Sequence, residues 1–487
     1  MSHTSPDASH KQVSQGEKLN LSTKLAYGAG DLGPAITANI SVFFLLIFFT
    51  NVAGIPAGLA GSVLLIGKVW DAINDPIVGV LTDKTNSRRW GRRLPWLLYG
   101  AIPFGIFFFL QWIVPQFSSD RTTQIWSLFW YYVAIGVVSQ VFYTVVNLPY
   151  TAMTPELTQD YDERTSLNSY RFGFSIGGSV LSLLLAQVIF VNISDRTLQY
   201  VVLAAVCSVI STIALYWCVF GTRDRVLAFE AQRTEAQAPP AIPFKEQLKI
   251  VFSNRPFLFV IGIYLCSWLA VQLTASIIPY FAVNWMGLRD ADVPIVLIGV
   301  QGTALLMLFV WGALSKRWGK KAVYFMGMGL WIIAQIGLFL IQPHQLGLLY
   351  VLAVLAGVGV STAYLIPWSM IPDVIELDEL KTGQRREGIF YAFMVFLQKL
   401  GLALGLFLVS IALQASGFKE AVPEQSTLPV QPEAAIQAIR FTVGPLPMVF
   451  LVGGLVLAYF YPITREVHAE ILLKLKERQS QSPDSLG

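Results

Sequence analysis

Charged residues are scarce in this chain of 487 residues: Asp, Glu, Lys and Arg together make up 13% of it. An average soluble domain carries roughly 25% charged residues. Hydrophobic residues instead make up 54% of the chain, and the mean hydropathy is +0.58. This composition excludes an ordinary soluble domain and predicts a polytopic membrane protein.

Cysteine and histidine, which often bind metals, are also rare. Three cysteines lie in apolar segments and have the spacing of neither a metal site nor a disulfide framework: Cys207, Cys218 and Cys266. Four histidines lie in the tails or in a loop, where no metal cluster is expected from them: His3, His10, His344 and His468.

The sequence also lacks nucleotide-binding and secretory patterns. There is no Gly-Lys-Ser/Thr phosphate loop, so ATP is not expected to drive this chain. Residues 1–23 lack the apolar core of a cleavable signal, so the first apolar segment is expected to target the protein. No enzyme site is recognisable, no cofactor is expected, and the basic loops need no nucleic acid to explain them.

Twelve apolar segments are long enough to cross a bilayer, which takes ~20 mainly apolar residues. The predicted fold is therefore all-α, with spans at 26–51, 57–82, 95–115, 124–151, 166–192, 199–220, 256–284, 294–314, 322–342, 347–371, 387–415 and 440–462. A polar linker divides them into two six-helix halves. The predicted units are an N-terminal tail 1–23, a first half 24–221, a central loop 222–255, a second half 256–463 and a tail 464–487.

Two further patterns give symmetry and orientation. A glycine, basic residues and a Trp-Gly pair recur after span two (Gly79 to Arg93) and after span eight (Gly312 to Lys321), which indicates a parallel internal repeat. Most loop Lys and Arg residues fall on the side of the two termini. The positive-inside rule therefore predicts cytoplasmic termini in a multi-pass protein of the cell membrane.

Three charges lie on one helical face in the middle of span two. Lys68, Asp71 and Asp75 are spaced i, i+3 and i+7, at a depth where each charge costs roughly 2.5–3.5 kcal/mol on insertion scales. They predict a cation site for Na⁺ or H⁺ at Asp71 and Asp75, with Lys68 in the surrounding charge network. The alternative is a structural charge pair in which Lys68 neutralises one aspartate.

Three more charges lie inside other spans. Lys399 is near the middle of span eleven, too deep to reach the interface, and it is predicted to contact Asp71 or Asp75 and join the halves. A salt bridge without a ligand is the alternative. Asp31 lies near the start of span one and Arg171 in the first turns of span five. The alternative for Arg171 is a side chain that extends to the cytoplasmic interface.

Polar and aromatic residues surround two prolines within spans. Asn147, Tyr150 and Thr151 lie beside Pro149 in span four, and Trp368 follows a proline in span ten. Aromatic faces next to hydrogen-bonding groups suit a sugar ring, so these residues are candidates for substrate binding. The alternative for each aromatic ring is helix packing or an interfacial belt.

Five short motifs make the chain resemble a known family. They are Lys24-Leu-Ala-Tyr-Gly-Ala-Gly, Trp70-Asp-Ala-Ile-Asn-Asp-Pro, Asn147-Leu-Pro-Tyr, Asp162-Glu-Arg-Thr-Ser-Leu and Arg386-Glu-Gly-Ile-Phe-Tyr. From Lys24 to about Arg465 the chain resembles the glycoside–pentoside–hexuronide:cation symporters, relatives of the melibiose permease in the major facilitator superfamily.

This resemblance implies a function and residue roles. A secondary transporter of this kind moves a sugar or glycoside with Na⁺ or H⁺ by alternating access, and we expect a monomer. The resemblance implies that Asp71 and Asp75 bind the cation, that Lys399 is tied to them, and that Arg171 lies near the sugar. A cytoplasmic gate is expected between Asp83, Arg92 and Arg93 in the first half and Glu376 and Arg385 in the second.

Some positions depart from the melibiose branch, and other functions stay open. Asn147 replaces an aspartate of that branch, Thr151 replaces a stacking tryptophan, and Asp31 stands one turn before the expected helix-one position at Ala35. A related branch of sodium-dependent lysolipid symporters shares the aspartate pair, the arginine and the lysine. A lysolipid symporter is therefore one alternative, and a non-transporting sensor or scaffold is another.

Overall fold

A computed structural model describes residues 19–85, 87, 89–158, 161–232, 244–384, 386–420 and 429–480. Within these ranges twelve long helices cross the molecule. The first six are α1 Leu21–Asn51, α2 Ala57–Lys84, α3 Leu94–Leu110, α4 Arg121–Thr151, α5 Tyr161–Asn192 and α6 Arg196–Gln232. The second six are α7 Arg255–Asn284, α8 Val293–Trp318, α9 Lys320–Leu340, α10 Leu346–Thr382, α11 Glu387–Ala415 and α12 Glu433–Phe460.

The predicted all-α fold with twelve spans is confirmed. Ten of these helices in the described chain are long and apolar enough to span a membrane, α3 is a shorter apolar helix, and α2 carries the central charges. A turn at Gly30 and Asp31 interrupts α1, and Gly444 interrupts α12. Helices α6 and α10 end later than the predicted spans 199–220 and 347–371. The polar residues that follow each apolar span are also helical.

The repeated Trp-Gly pair has a conformational reason. Gly91 has a φ of +72° and Gly319 a φ of +84°, a region that side chains with a Cβ rarely occupy. Gly319 ends α8 and lets α9 begin at the next residue. The repeated motif thus places a glycine with positive φ between α2 and α3 and again between α8 and α9.

The two halves are in contact at one end of the bundle. At the end opposite the termini, one apolar core contains Phe44 and Phe48 of α1 together with Ile277 and Phe281 of α7. Helix α2 packs along α11, and α5 along α8. Between α2 and α11, Gly61 lies against Ser410, where an added Cβ atom would clash with the serine side chain.

At the end that carries the termini, the apolar cores of the described residues are separate. One contains Tyr27, Leu97 and Leu167 of the first half. The other contains Met370 and Phe390 of the second half. The structure is therefore closed at the end opposite the termini, and its halves share no apolar core at the terminal end.

Candidate functional site

Lys399 joins the two halves near the middle of the membrane. Its Nζ atom lies 3.0 Å from the Asp71 carboxylate and also forms a short ion pair with Asp75. The Asp71 side chain is only 1% exposed, whereas that of Lys399 is 20% exposed. The contact predicted between the lysine of span eleven and the aspartate pair of span two is thus confirmed.

Thr144 completes this cluster from α4. Its hydroxyl oxygen lies 3.0 Å from Asp71 Oδ1 and 3.0 Å from Asp75 Oδ1. A threonine hydroxyl has one proton and can donate to only one carboxylate at a time. Two ionised carboxylates around it therefore leave one oxygen–oxygen contact without a proton. A bound proton would bridge that contact, and a metal cation would bind both oxygens and offset their repulsion.

The oxygens of Asp71, Asp75 and Thr144 form the kind of ligand set that a hard cation such as Na⁺ prefers. All three point to one place between α2 and α4, next to the Lys399 ammonium. The sequence analysis missed Thr144. A single threonine in an apolar helix usually bonds to its own backbone, and nothing in its spacing marked it as a ligand.

Lys68 is not paired with an aspartate. Its Nζ atom donates to the Gln140 side-chain oxygen of α4 at 3.3 Å, and it forms no ion pair within the described ranges. The alternative in which Lys68 neutralises an aspartate is therefore not what the structure shows, because Lys399 takes that place.

Arg171 and Asp31 form a second charged pair, between α5 and α1. The Arg171 Nε atom lies 3.2 Å from Asp31 Oδ2, and its guanidinium carbon lies 5.7 Å from the centre of the Tyr150 ring. Arg171 is thus bound inside the first half, which does not agree with the alternative of a side chain extended to the interface.

The three candidates on α4 have different environments. Tyr150 is fully buried. Its hydroxyl donates to the Tyr27 carbonyl at 2.8 Å, and its ring stacks on the Tyr27 ring. The Thr151 hydroxyl donates to the Leu148 carbonyl of its own helix at 2.9 Å. The Asn147 Oδ1 atom, in contrast, is buried and has no hydrogen-bond partner among the described residues. Of the three, Asn147 has the free acceptor.

Trp368 belongs to a group of aromatic rings that α7, α10 and α11 contribute. Its ring lies 5.9 Å from Tyr264 and 6.3 Å from Tyr391. Trp268 continues the group, with ring centres 5.9 Å from Tyr264 and 5.8 Å from Tyr364. The sequence analysis found Trp368 but not its neighbours, because periodicity along one helix does not show which rings of other helices meet it.

In this conformation the gate residues predicted in the first half pair within that half, and the gate stays a prediction. Arg92 and Arg93 both contact Glu156 Oε1 at 2.6 Å, and Asp83 lies 3.4 Å from Arg93 with its side chain 61% exposed. All these groups belong to the first half. The halves share no apolar core at this end, so each arginine pairs with a carboxylate of its own half.

The remaining described gate residue, Glu376, also pairs within the second half. Glu376 pairs with His468 of the second half, with atoms 2.6 Å apart. Arg385 lies outside the described residues. Ligand atoms of Asp373, Glu376 and His468 lie within 4.8 Å of one another, a grouping that the sequence analysis did not predict. Lys320 already binds Asp373 at 2.6 Å.

Further polar contacts between the halves lie at the closed end. Arg196 at the start of α6 forms an ion pair of 2.6 Å with Asp290, just before α8. The Thr50 and Tyr280 hydroxyls are 2.7 Å apart, and the Ala57 backbone N–H donates to the Glu420 carboxylate at 3.0 Å. No sequence pattern predicted these pairs, since each joins residues far apart in the chain.

Comparisons with known proteins agree with this architecture. The chain matches the family described as MFS/sugar transport protein over residues 26–465. It is 53% identical over 542 residues to an uncharacterized symporter of Synechocystis sp. The alignment covers 97% of this chain and 99% of that protein. It is 26% identical over 510 residues to sodium-dependent lysophosphatidylcholine symporter 1-A of Danio rerio, covering 97% and 92%.

A solved structure shows the same fold. The nucleoside transporter NupG is similar with a TM-score of 0.59 and 14% sequence identity, covering 91% of this chain and 98% of that one. Together with the fold, the family match and the symporter relatives identify a multi-pass membrane transporter of the major facilitator superfamily, not an enzyme. The chain belongs to the MFS/sugar transport protein family, and its homologues are symporters. A non-transporting scaffold is not supported.

Proposed function

We propose that this protein is a cation-coupled symporter of a sugar or glycoside, of the glycoside–pentoside–hexuronide:cation type. The observation that carries the proposal is the contact of Lys399 with Asp71 and Asp75, around the oxygen of Thr144. It brings a candidate cation site of the first half into direct contact with a charge of the second half. Such a contact gives the cation a means to act on both halves.

The coupling follows from competition for the carboxylates. When Na⁺ or H⁺ binds to Asp71 and Asp75, it offsets the negative charge that attracts Lys399. The strength of the contact between the halves then depends on whether the cation is bound. If the affinity for the substrate depends on how the halves are arranged, cation binding changes that affinity. Substrate binding then changes the cation affinity by the same factor.

The direction of access follows from the orientation. We propose that both termini are cytoplasmic, because the basic loops lie on their side, and that the protein works as a monomer in the cell membrane. The closed end is then external, and the conformation faces inward. Alternating access would open the external end by breaking contacts such as that of Arg196 with Asp290.

A sugar fits the polar groups of the site better than a wholly apolar compound. Hydroxyl groups both donate and accept hydrogen bonds, and the Asp31–Arg171 pair offers acceptor and donor atoms together. Asn147 adds an unpaired acceptor on α4, and Asn74 an unpaired donor on α2. The ring group around Trp368 offers aromatic faces against which the apolar face of a sugar can pack.

A second candidate substrate is a lysolipid. The observation that favours it is an open apolar groove of about 670 Å³ between α1 and α5, lined by Leu25, Leu32, Gly173, Phe174, Gly177 and Leu181 among others. An acyl chain would bury apolar surface there. The relatives named as sodium-dependent lysophosphatidylcholine symporters support this candidate as well.

Uptake into liposomes tests the proposal. The purified protein would be reconstituted and given labelled galactosides, xylosides, glucuronides and a lysophospholipid, with and without an inward Na⁺ or pH gradient. We expect gradient-driven uptake of one glycoside class, lost in Asp71→Asn. The control is Glu470→Gln, at a carboxylate that is 62% exposed on the C-terminal helix Arg465–Ser480.

The outcomes separate the candidates. Uptake of lysophospholipid alone would replace the glycoside by the second candidate. A response to the pH gradient alone would identify H⁺ as the coupling ion. If neither gradient changes the uptake of any compound, cation coupling is refuted.

A further inference from the structure

The charges inside the apolar spans are balanced. Six charged residues lie five or more residues inside the limits of these spans, three of them negative and three positive: Asp31, Asp71, Asp75, Lys68, Arg171 and Lys399. A charge without a counter-charge is unfavourable inside a membrane protein. With no cation bound, the ionised side chains sum to zero.

These six charges do not form three separate ion pairs. Asp31 and Arg171 neutralise each other. Lys399 contacts both Asp71 and Asp75, which leaves that group with one negative charge. Lys68 is the positive charge that remains. It lies three residues before Asp71 on the same helix and is held by the neutral Gln140 amide rather than by a carboxylate.

Binding of the coupling cation removes this balance. One Na⁺ or H⁺ at Asp71 and Asp75 neutralises the surplus carboxylate, so the six side chains and the cation sum to one positive charge. That charge belongs to Lys68, whose hydrogen bond of 3.3 Å to Gln140 is long and supplies no counter-charge. A negatively charged group beside Lys68 would restore the sum to zero.

We propose that the transported substrate carries one negative charge and that Lys68 is its counter-charge. The inference rests on the proposed cation-coupled symport. Cation binding removes the counter-charge of Lys68, and the anionic group of the substrate supplies a new one. A carboxylate on a sugar acid and a phosphate on a lysolipid share this chemistry, since both offer anionic oxygens to an ammonium group.

The coupling order follows from these charges. An anionic substrate that arrives before the cation meets a site whose charges already sum to zero. Its binding would add an uncompensated negative charge, and so would be weak. After the cation has bound, the same substrate is favoured, and it in turn tightens cation binding by the same factor. Lys68 is thus a specificity-determining residue and is not part of the cation site.

A matched pair of substrates tests this inference. Proteoliposomes would be given a glucuronide and the uncharged glucoside with the same aglycone. In parallel they would be given lysophosphatidylglycerol, which carries one negative charge, and lysophosphatidylcholine, whose phosphate and ammonium charges sum to zero. We expect the cation gradient to drive the anionic member of one pair about tenfold better than its net-neutral partner. The pair that responds distinguishes a sugar acid from a lysolipid phosphate.

Charge movement gives a second readout that needs no mutation. A solid-supported membrane would record the current when cation and substrate are supplied together. One cation moving with one anion carries no net charge, so we expect little current from the charged substrate. A positive current with a neutral substrate that is transported equally well would overturn the inference while leaving cation-coupled symport intact.

Variants of Lys68 test whether this residue causes the preference for a charged substrate. Lys68→Gln should abolish the preference for the charged substrate, whereas Lys68→Arg should keep it. Na⁺ binding measured by titration calorimetry should persist in Lys68→Gln, since the carboxylates and Thr144 are unchanged. A Lys68→Gln protein that retains the full preference would refute the role of Lys68. If no compound responds to a cation gradient in the wild type, the proposed function itself fails.

Discussion

Lys399 of α11 lies 3.0 Å from the Asp71 carboxylate of α2, so an ion pair joins the two halves of the bundle at mid-membrane. Asp71 is almost completely buried, and Thr144 binds the other oxygen of its carboxylate. Lys399 and a coupling cation would compete for the same carboxylates. This competition is the physical basis of the predictions that follow.

Removing the charge of Lys399 should tighten cation binding and destabilise the cation-free protein. In Lys399→Gln no ammonium group competes for Asp71 and Asp75, so the Na⁺ dissociation constant should fall. The loss of one partner of a buried pair should also destabilise the cation-free protein, by up to ~3 kcal/mol. Titration calorimetry and thermal unfolding with and without Na⁺ measure both effects. Weaker Na⁺ binding in this variant would contradict competition.

The Thr144 hydroxyl should contribute to cation affinity. Thr144→Val keeps the shape of the side chain but removes an oxygen that lies 3.0 Å from both carboxylates. One lost polar contact is worth about 1 kcal/mol, or about a fivefold weaker dissociation constant. Thr144→Ser should bind like the wild type.

A control hydroxyl is available for that experiment. Thr222 on α6 is buried and donates to the Cys218 carbonyl of its own helix. Thr222→Val removes a hydroxyl without touching the candidate cation site. Equal losses of cation affinity in Thr144→Val and Thr222→Val would indicate a general packing effect.

Weakening the ion pair at the closed end should favour the opposite conformation. Arg196→Gln removes the contact with Asp290, which is partly exposed and therefore worth about 0.5–1 kcal/mol. A cysteine at Val52, which is 7% exposed in the core at this end, should then react faster with a thiol reagent. The exchange Arg196→Asp with Asp290→Arg should restore slow labelling, and a failure to do so would count against a direct contact.

The stabilising ion pairs of Arg92 and Arg93 should depend on Glu156 and not on residues of the second half. Arg92→Glu places a negative charge next to the buried Glu156 carboxylate and should lower the thermal stability of the protein. A second change, Glu156→Arg, reverses the pair and should recover part of the loss. Recovery by a positive charge at Glu376 instead would support the gate that the sequence predicted and the structure does not show.

Much of the fold and part of the site could be predicted from the sequence, because burying charge is costly. Twelve apolar segments gave the spans. Lys399 at mid-membrane required a carboxylate partner, and Asp71 and Asp75 were the deepest candidates. The cost of an isolated charge is a strong physical signal that does not depend on knowing the conformation.

Neutral groups carried no such signal. Thr144 is an ordinary residue of an apolar helix until the fold places it between two carboxylates. The rings around Trp368 come from three helices, and their meeting depends on how the helices rotate and pack. The pairs of Arg92 with Glu156 and of Arg196 with Asp290 depend on which end of the bundle is closed, a property of the conformational state rather than of any local pattern.

Cation binding to the purified protein tests the central claim most directly, because it needs no knowledge of the substrate. Titration calorimetry with Na⁺, and proton uptake on the same samples, would compare the wild type with Asp71→Asn and Asp75→Asn. We predict saturable binding of one cation to the wild type, lost in both variants and kept in Glu470→Gln. Unchanged binding in Asp71→Asn and Asp75→Asn would contradict a cation site at this carboxylate pair.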